Sequence, residues 1–179
     1  MTKKFILTCL LIIIFLNSNS YGENNRYFEF DKGIIALMYH RFDEHKYPST
    51  NIQMDIFKEQ INIIENLKIN FLHPKNFNEE ISKPNEEKKI LLTIDDGFQS
   101  FYDNAWPILK KENIPFILFI STAYVGKNGY MNWEQIKEIE NSKLGIIGNH
   151  SHTHGYLVDE DDSTIIDDIN LAITLFKKN

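Results

Sequence analysis

Three stretches, KKILLTIDDG (88–97), PFILFIST (115–122) and KLGIIGNH (143–150), stay apolar over most of their length instead of alternating with polar residues. A strand with one wet face alternates. A strand that does not is buried on both faces, which is the situation inside a parallel sheet covered by helices. GIIALMYH (33–40) has the same character, and NFLHP (70–74) is a shorter strand candidate. The segments between them carry a helical period. MDIFKEQINIIENLK (54–68) places Ile56, Phe57, Gln60, Ile63, Ile64 and Leu67 near helical spacing. FQSFYDNAWPILKKEN (98–113) reads as a helix kinked at Pro107, and MNWEQIKEIENS (131–142) as a helix with Asn132 as its N-cap. DSTIIDDINLAITLFKK (162–178) reads as a closing helix with Ile165, Ile169, Ala172, Ile173 and Phe176 on one face. Strand–helix alternation of this kind predicts an α/β fold on a parallel sheet, open or closed into a barrel. Both forms place their sites at the carboxyl ends of the strands.

The chain has 179 residues, enough for one domain with a real core. Its net charge of −6 argues against a nucleic-acid partner held through phosphates. Residues 1–22 differ from the rest. Lys3 and Lys4 precede the apolar run FILTCLLIIIFL (5–16), and NSNSYG follows it. That is the order of a secretory signal peptide, with Ser20 and Gly22 at −3 and −1 of a cut before Glu23. The run is short for a membrane span, so no stable span is expected after cleavage. The expected location is secreted, periplasmic or in the cell envelope. Cys9 is the one cysteine and lies in the leader, which excludes a disulfide framework and cysteine-ligated zinc. Any metal must be held by His, Asp, Glu or water.

Three strand ends carry the polar chemistry. The first ends at His40, the third at Asp95 and Asp96, and the last runs into HSHTH (150–154). In one parallel sheet these ends converge, bringing two carboxylates to a histidine cluster. Oxygen and imidazole ligands together suit zinc or a similar divalent ion, with cobalt, nickel and iron also compatible. His150 and His154 would share a side in a helical turn, whereas an extended run would align all three histidines. Gly148 and Gly155 argue for a turn and favour the His150/His154 pair. Two adjacent carboxylates repel, so one ligand and one base is the economical division for Asp95 and Asp96. Taken alone, an Asp-Asp-Gly after a strand is as often a simple turn with a helix cap.

Together the two motifs resemble those of the polysaccharide deacetylases, the NodB-like carbohydrate esterases. TIDDGF (93–98) looks like the family's first motif and HSHTH (150–154) like its second; ALMYHRF and YMNWEQIKEI resemble the branch acting on poly-N-acetylglucosamine. The resemblance implies that Asp96, His150 and His154 bind a divalent metal, zinc by preference. It makes Asp95 the catalytic base, Ser151 a brace for the histidine loop, and His40 a substrate-lining residue. It implies a hydrolase that removes N-acetyl groups from an N-acetylglucosamine polysaccharide. The family's later motifs, which supply an arginine and a histidine acid, lie downstream of the second one. Residues 23–179 are therefore expected to form the N-terminal part of a distorted (β/α) barrel, a domain incomplete at its C-terminus that carries the metal half of the site.

Two other readings stand beside it. A different metal hydrolase on an α/β barrel, an amidohydrolase or phosphoesterase with an H-x-H pair, would use His150 and His152. A non-catalytic carbohydrate-binding protein would keep only a remnant of the site.

Overall fold

The structure, a computed structural model, describes residues 33–82 and 87–179. The leader expected at 1–22 lies outside the described residues, as do residues 23–32 and part of the charged stretch at 83–89. The chain runs β1 (Gly33–Tyr39), β2 (Arg41–Phe42), β3 (Asn51–Ile52), α1 (Met54–Asn66), β4 (Asn70–Phe71) and α2 (Phe77–Ser82). It continues with β5 (Lys88–Ile94), α3 (Trp106–Lys111), β6 (Phe116–Ile120), α4 (Trp133–Asn141), β7 (Gly145–Asn149) and α5 (Asp162–Lys178).

The main sheet is parallel, with path β1-β5-β6-β7. β1 covers one edge of β5 along its whole length, from Gly33 opposite Lys88 to Tyr39 opposite Ile94. The other edge is shared: β4 pairs at Lys89 and Ile90, and β6 takes Leu92 to Ile94. β6 then pairs with β7 up to Ile120 opposite Asn149. Among the described residues the sheet stays open, with β1 and β7 at its ends. β2 and β3 form a separate two-strand ribbon. This register sets His40 beside Asp95, and puts His150 just past the end of β7.

The burial on both faces expected from the apolar runs holds at Leu91 of β5 but not in β1, where Ile35 and Met38 are exposed, nor in β7, where Ile146 and Ile147 are half-buried, because β1 and β7 end the sheet. One face of the sheet carries the core. Ile90, Leu92 and Ile94 of β5 and Phe116, Leu118 and Ile120 of β6 alternate onto it and are buried. They join Phe57, Ile61 and Ile64 of α1, Trp106 and Leu109 of α3, and Ile136 and Ile139 of α4 in one cluster. Phe116 packs edge-on against Phe101 at 5.3 Å and Trp106 at 5.7 Å. Truncating it removes the ring that links the strand to both. Phe116→Ala is expected to cost about 3–5 kcal/mol, read as a fall in the urea midpoint at unchanged slope.

The helices depart from expectation in detail. The buried stripe of α1 is Met54, Phe57, Ile61 and Ile64, while Ile56, Ile63 and Leu67 are exposed. The 3-4-3 spacing of the first set makes a straight seam, and Ile56 and Ile63 stand one position off it. The segment 98–113 is helical from 99 to 111 without a break, as expected, but its irregularity lies ahead of Pro107. A π-helical turn at Phe101–Ala105 buries Phe101 and Ala105 and runs straight into α3, with the Trp106 N–H donating to the Phe101 carbonyl. Asn132 does cap α4, in a reciprocal box with Gln135. On α5, Ile173 is exposed; Ala172 is buried and Phe176 packs edge-on against Trp133 at 5.7 Å.

Candidate metal centre and active site

The first half of the site is made where β5 ends. The Asp95 N–H donates to the Tyr39 carbonyl at 2.9 Å, so the β1–β5 ladder runs one residue past Ile94. The chain then turns sharply, with Asp96 at φ 72° and Gly97 at φ 77°. Aspartate tolerates the left-handed region better than most residues. Gly97 takes the left-handed backbone without strain, and a Cβ there would fall 2.7 Å from Ile120 Cδ1 and force it to shift. The Met131 N–H donates to the Gly97 carbonyl at 3.0 Å and ties the β6–α4 loop to this turn.

The second half follows β7. The His150 N–H donates to Ile120 O at 3.0 Å, and Ser121 Oγ donates to the His150 carbonyl at 2.8 Å. The chain then bends through Ser151 at φ 65° and His154 at φ 58°. Ser151 is buried; its N–H donates to Asn149 Oδ1 at 2.9 Å and its Oγ accepts from the His154 N–H at 3.0 Å. Left-handed conformation at non-glycine residues costs of order 1–3 kcal/mol each, and such residues gather where surrounding structure holds a functional geometry.

These two turns bring three side chains together. Asp96 Oδ1 lies 3.3 Å from His150 Nε2 and 3.1 Å from His154 Nε2. The three potential ligand atoms all fall within 4.8 Å of one another. Oδ1 is buried and has no partner with hydrogen-bond geometry. The two ring nitrogens therefore stand near the carboxylate without bonding to it well. A buried carboxylate oxygen facing two imidazole nitrogens with no hydrogen bond of its own matches the donor set of a cation site. The residues fit a divalent metal of the zinc type.

The electrostatics agree. Burial pushes the Asp96 carboxyl up, but His150, His154 and His40 outweigh it and hold it below the usual carboxylate range. The same contact with Asp96 raises His150, against burial, which lowers it. Asp95 goes the other way: burial raises it, Asp96 adds to that, and the histidines offset only part. The two neighbouring carboxylates are thus pushed apart, one toward a permanent anion and one toward a proton acceptor.

The remaining expected residues are placed as follows. His40 Nε2 is 3.9 Å from Asp95 Oδ2, at the rim of the cluster and outside the three-atom set. His152 turns away: its Nδ1 bonds Thr122 Oγ1 at 2.8 Å. His150 and His154 do share a side, although left-handed turns produce this and not a helical one. His73, given no role from sequence, clips β4 to the α4–β7 turn. Its Nδ1 accepts from the Lys75 N–H at 3.2 Å, leaving Nε2 to donate to the Lys143 carbonyl at 2.9 Å.

Sequence reasoning missed the supports of the histidine loop. Ser121 and Thr122 end a buried strand and are themselves buried, which a Ser-Thr pair after an apolar run could have signalled. Asp168 on α5 had no such signal. It accepts from His152 N–H at 2.6 Å, Thr153 N–H at 2.9 Å and Thr153 Oγ1 at 2.6 Å.

Comparison with known proteins adds the class. The family model described as polysaccharide deacetylase matches residues 82–179, more than half of the chain and both turns of the site. The chain belongs to the polysaccharide deacetylase family. Among its relatives is the poly-beta-1,6-N-acetyl-D-glucosamine N-deacetylase of Staphylococcus aureus (strain MSSA476), 26% identical over 99% of this chain and 74% of the relative. IcaB from Ammonifex degensii superposes with a TM-score of 0.71 at 26% identity, covering 82% of this chain and 69% of that one. The Streptococcus pyogenes deacetylase PplD, solved in complex with acetate, gives 0.72 at 23% identity over 82% and 68%, a likeness of fold. The α/β fold with a parallel sheet is thus the one the sequence led us to expect.

Proposed function

We propose that this chain is a metal-dependent N-deacetylase acting on a polysaccharide that contains N-acetylglucosamine. The observation that carries the reading is the orphaned Asp96 Oδ1 facing His150 Nε2 and His154 Nε2, with Asp95 next to it in the chain. Asp96, His150 and His154 would hold the ion, zinc by preference. A divalent ion there would supply Lewis-acid polarisation of the acetyl carbonyl and ease deprotonation of water. Asp95, raised by burial, is suited to take the proton of the water that attacks the carbonyl carbon. The C–N bond then breaks as the proton taken by Asp95 passes to the departing nitrogen, giving acetate and a free amine. His40, at the Asp95 rim, would line the pocket on the β1 side. The name of the S. aureus relative supports the poly-N-acetylglucosamine substrate. The apolar leader read in residues 5–16 supports export, with the domain starting at residue 23. Among the described residues no helix is long and apolar enough to cross a membrane.

Zinc titration of the histidine variants, paired with acetate release from poly-N-acetylglucosamine, tests the reading. His154→Ala is expected to lose zinc binding and acetate release together, and His152→Ala to keep zinc. Loss of zinc with His152→Ala alone would transfer the site to an H-x-H pair. Zinc binding with no acetate released by the wild-type chain, together with retention of the polymer by the chain, would leave a carbohydrate-binding protein.

A further inference from the structure

We propose that Asp168 is a positioning residue, a carboxylate on α5 that holds the histidine loop in the shape that aims His150 and His154 at Asp96. The inference rests on the metal-site reading above and concerns a residue outside the three ligands. The loop needs an external hold. Two of its backbone positions, Ser151 and His154, lie in the left-handed region, and between them the consecutive N–H groups of His152 and Thr153 point out of the turn to one acceptor. Asp168 meets both, Oδ2 taking His152 N–H at 2.6 Å and Oδ1 taking Thr153 N–H at 2.9 Å. Thr153 Oγ1 adds a third bond to Oδ1 at 2.6 Å. Consecutive amides converging on one anion are a favourable arrangement that costs the chain little once the turn is set.

The support is a continuous helix held at both ends. The helix has 17 residues, is capped at Asp161, which accepts from the Thr164 N–H at 2.9 Å, and is pinned at its far end by Phe176 against Trp133. On the opposite flank, Thr122 N–H and Ala123 N–H donate to the Ser151 and His152 carbonyls at 3.2 and 3.0 Å. The loop is thus clasped between the exit of β6 and one side chain of α5. Removing that side chain frees one flank while leaving every ligand in the chain. Asp167, next to it and exposed, carries the same charge without these bonds and serves as the control.

The test uses the full chain and zinc chloride as the probe. Asp168→Ala is expected to weaken zinc binding by about 10–100-fold, the range found when partners that orient metal ligands are removed. Asp168→Asn, which keeps one acceptor oxygen, should fall between it and wild type, and Asp167→Ala should match wild type. Alanine is a better helix former than aspartate, so α5 is expected to survive the change. In the metal-free protein, amide exchange of His152 and Thr153 should accelerate in Asp168→Ala while exchange within α5 stays as it was. Equal weakening by Asp167→Ala and Asp168→Ala would reduce the effect to net charge and overturn the proposal. So would unchanged zinc affinity with unchanged exchange at His152 and Thr153. If wild type takes up no zinc, the metal reading falls, and the exchange measurement still decides the role of Asp168.

Discussion

Asp96→Asn is expected to abolish divalent-metal binding while leaving a folded protein. Asparagine tolerates the left-handed backbone that Asp96 adopts at φ 72°, so the turn into Gly97 survives. Alanine would add a backbone penalty of about 1–2 kcal/mol and blur the result. The change removes the anionic oxygen on which His150 and His154 converge. With two neutral imidazoles remaining, zinc affinity should fall by more than the roughly 10–100-fold typical of residues that only orient ligands. Isothermal titration gives the affinity and a thermal melt of the metal-free protein gives the fold. The same titration carries a pH signature in wild type. His150 must be deprotonated to bind, and Asp96 raises its pKa above the ordinary value of about 6.5. Proton competition therefore sets in above that value, and affinity declines as pH falls through it. Unaltered zinc binding by Asp96→Asn would remove the metal centre from these residues.

The distribution of this chemistry along the chain explains how much could be read in advance. Asp95 and Asp96 follow β5, whose apolar run announces a buried parallel strand, and His150 follows β7, which is half-buried but held parallel to β6, so their convergence is a consequence of topology. Distances along the chain are large, but register is simple: Tyr39 opposite Ile94 and Ile120 opposite Asn149 bring the ends level. The helices were less legible. Ile56 and Ile63 are as apolar as Ile61 and Ile64, and only packing decides which pair faces the core. The π turn at 101–105 has no local signature apart from Pro107 just beyond it. Asp168 was invisible for another reason. On sequence it is one of two consecutive acidic residues on a helix, and two of its three bonds are to backbone N–H groups some fifteen positions earlier, the third being to the Thr153 hydroxyl. Backbone donors carry no side-chain identity, so no pattern of residue types points to them.

Asp95→Asn should separate holding the metal from using it. Asp95 adjoins Asp96, the proposed metal ligand, but lies outside the three-atom cluster, and its hold on Tyr39 is through backbone, which asparagine keeps. Zinc binding is therefore expected to survive, with a smaller loss than Asp96→Asn produces. Acetate release should not survive. An amide side chain cannot accept the proton of the attacking water, and removal of a general base lowers turnover by about 10²–10⁴. The loss should appear in kcat with KM little changed, because the interaction is made in the transition state and not in the bound ground state. The pH profile adds a second signature. The active form of Asp95 is the carboxylate, so the wild-type rate falls as pH drops through its pKa. Burial raises Asp95 in the metal-free chain, and a bound dication would draw it back down. The residual rate of Asp95→Asn should lack that acid limb. Full turnover in Asp95→Asn, with zinc bound, would move the proton acceptor to another group, and His40, 3.9 Å away, is the next to test.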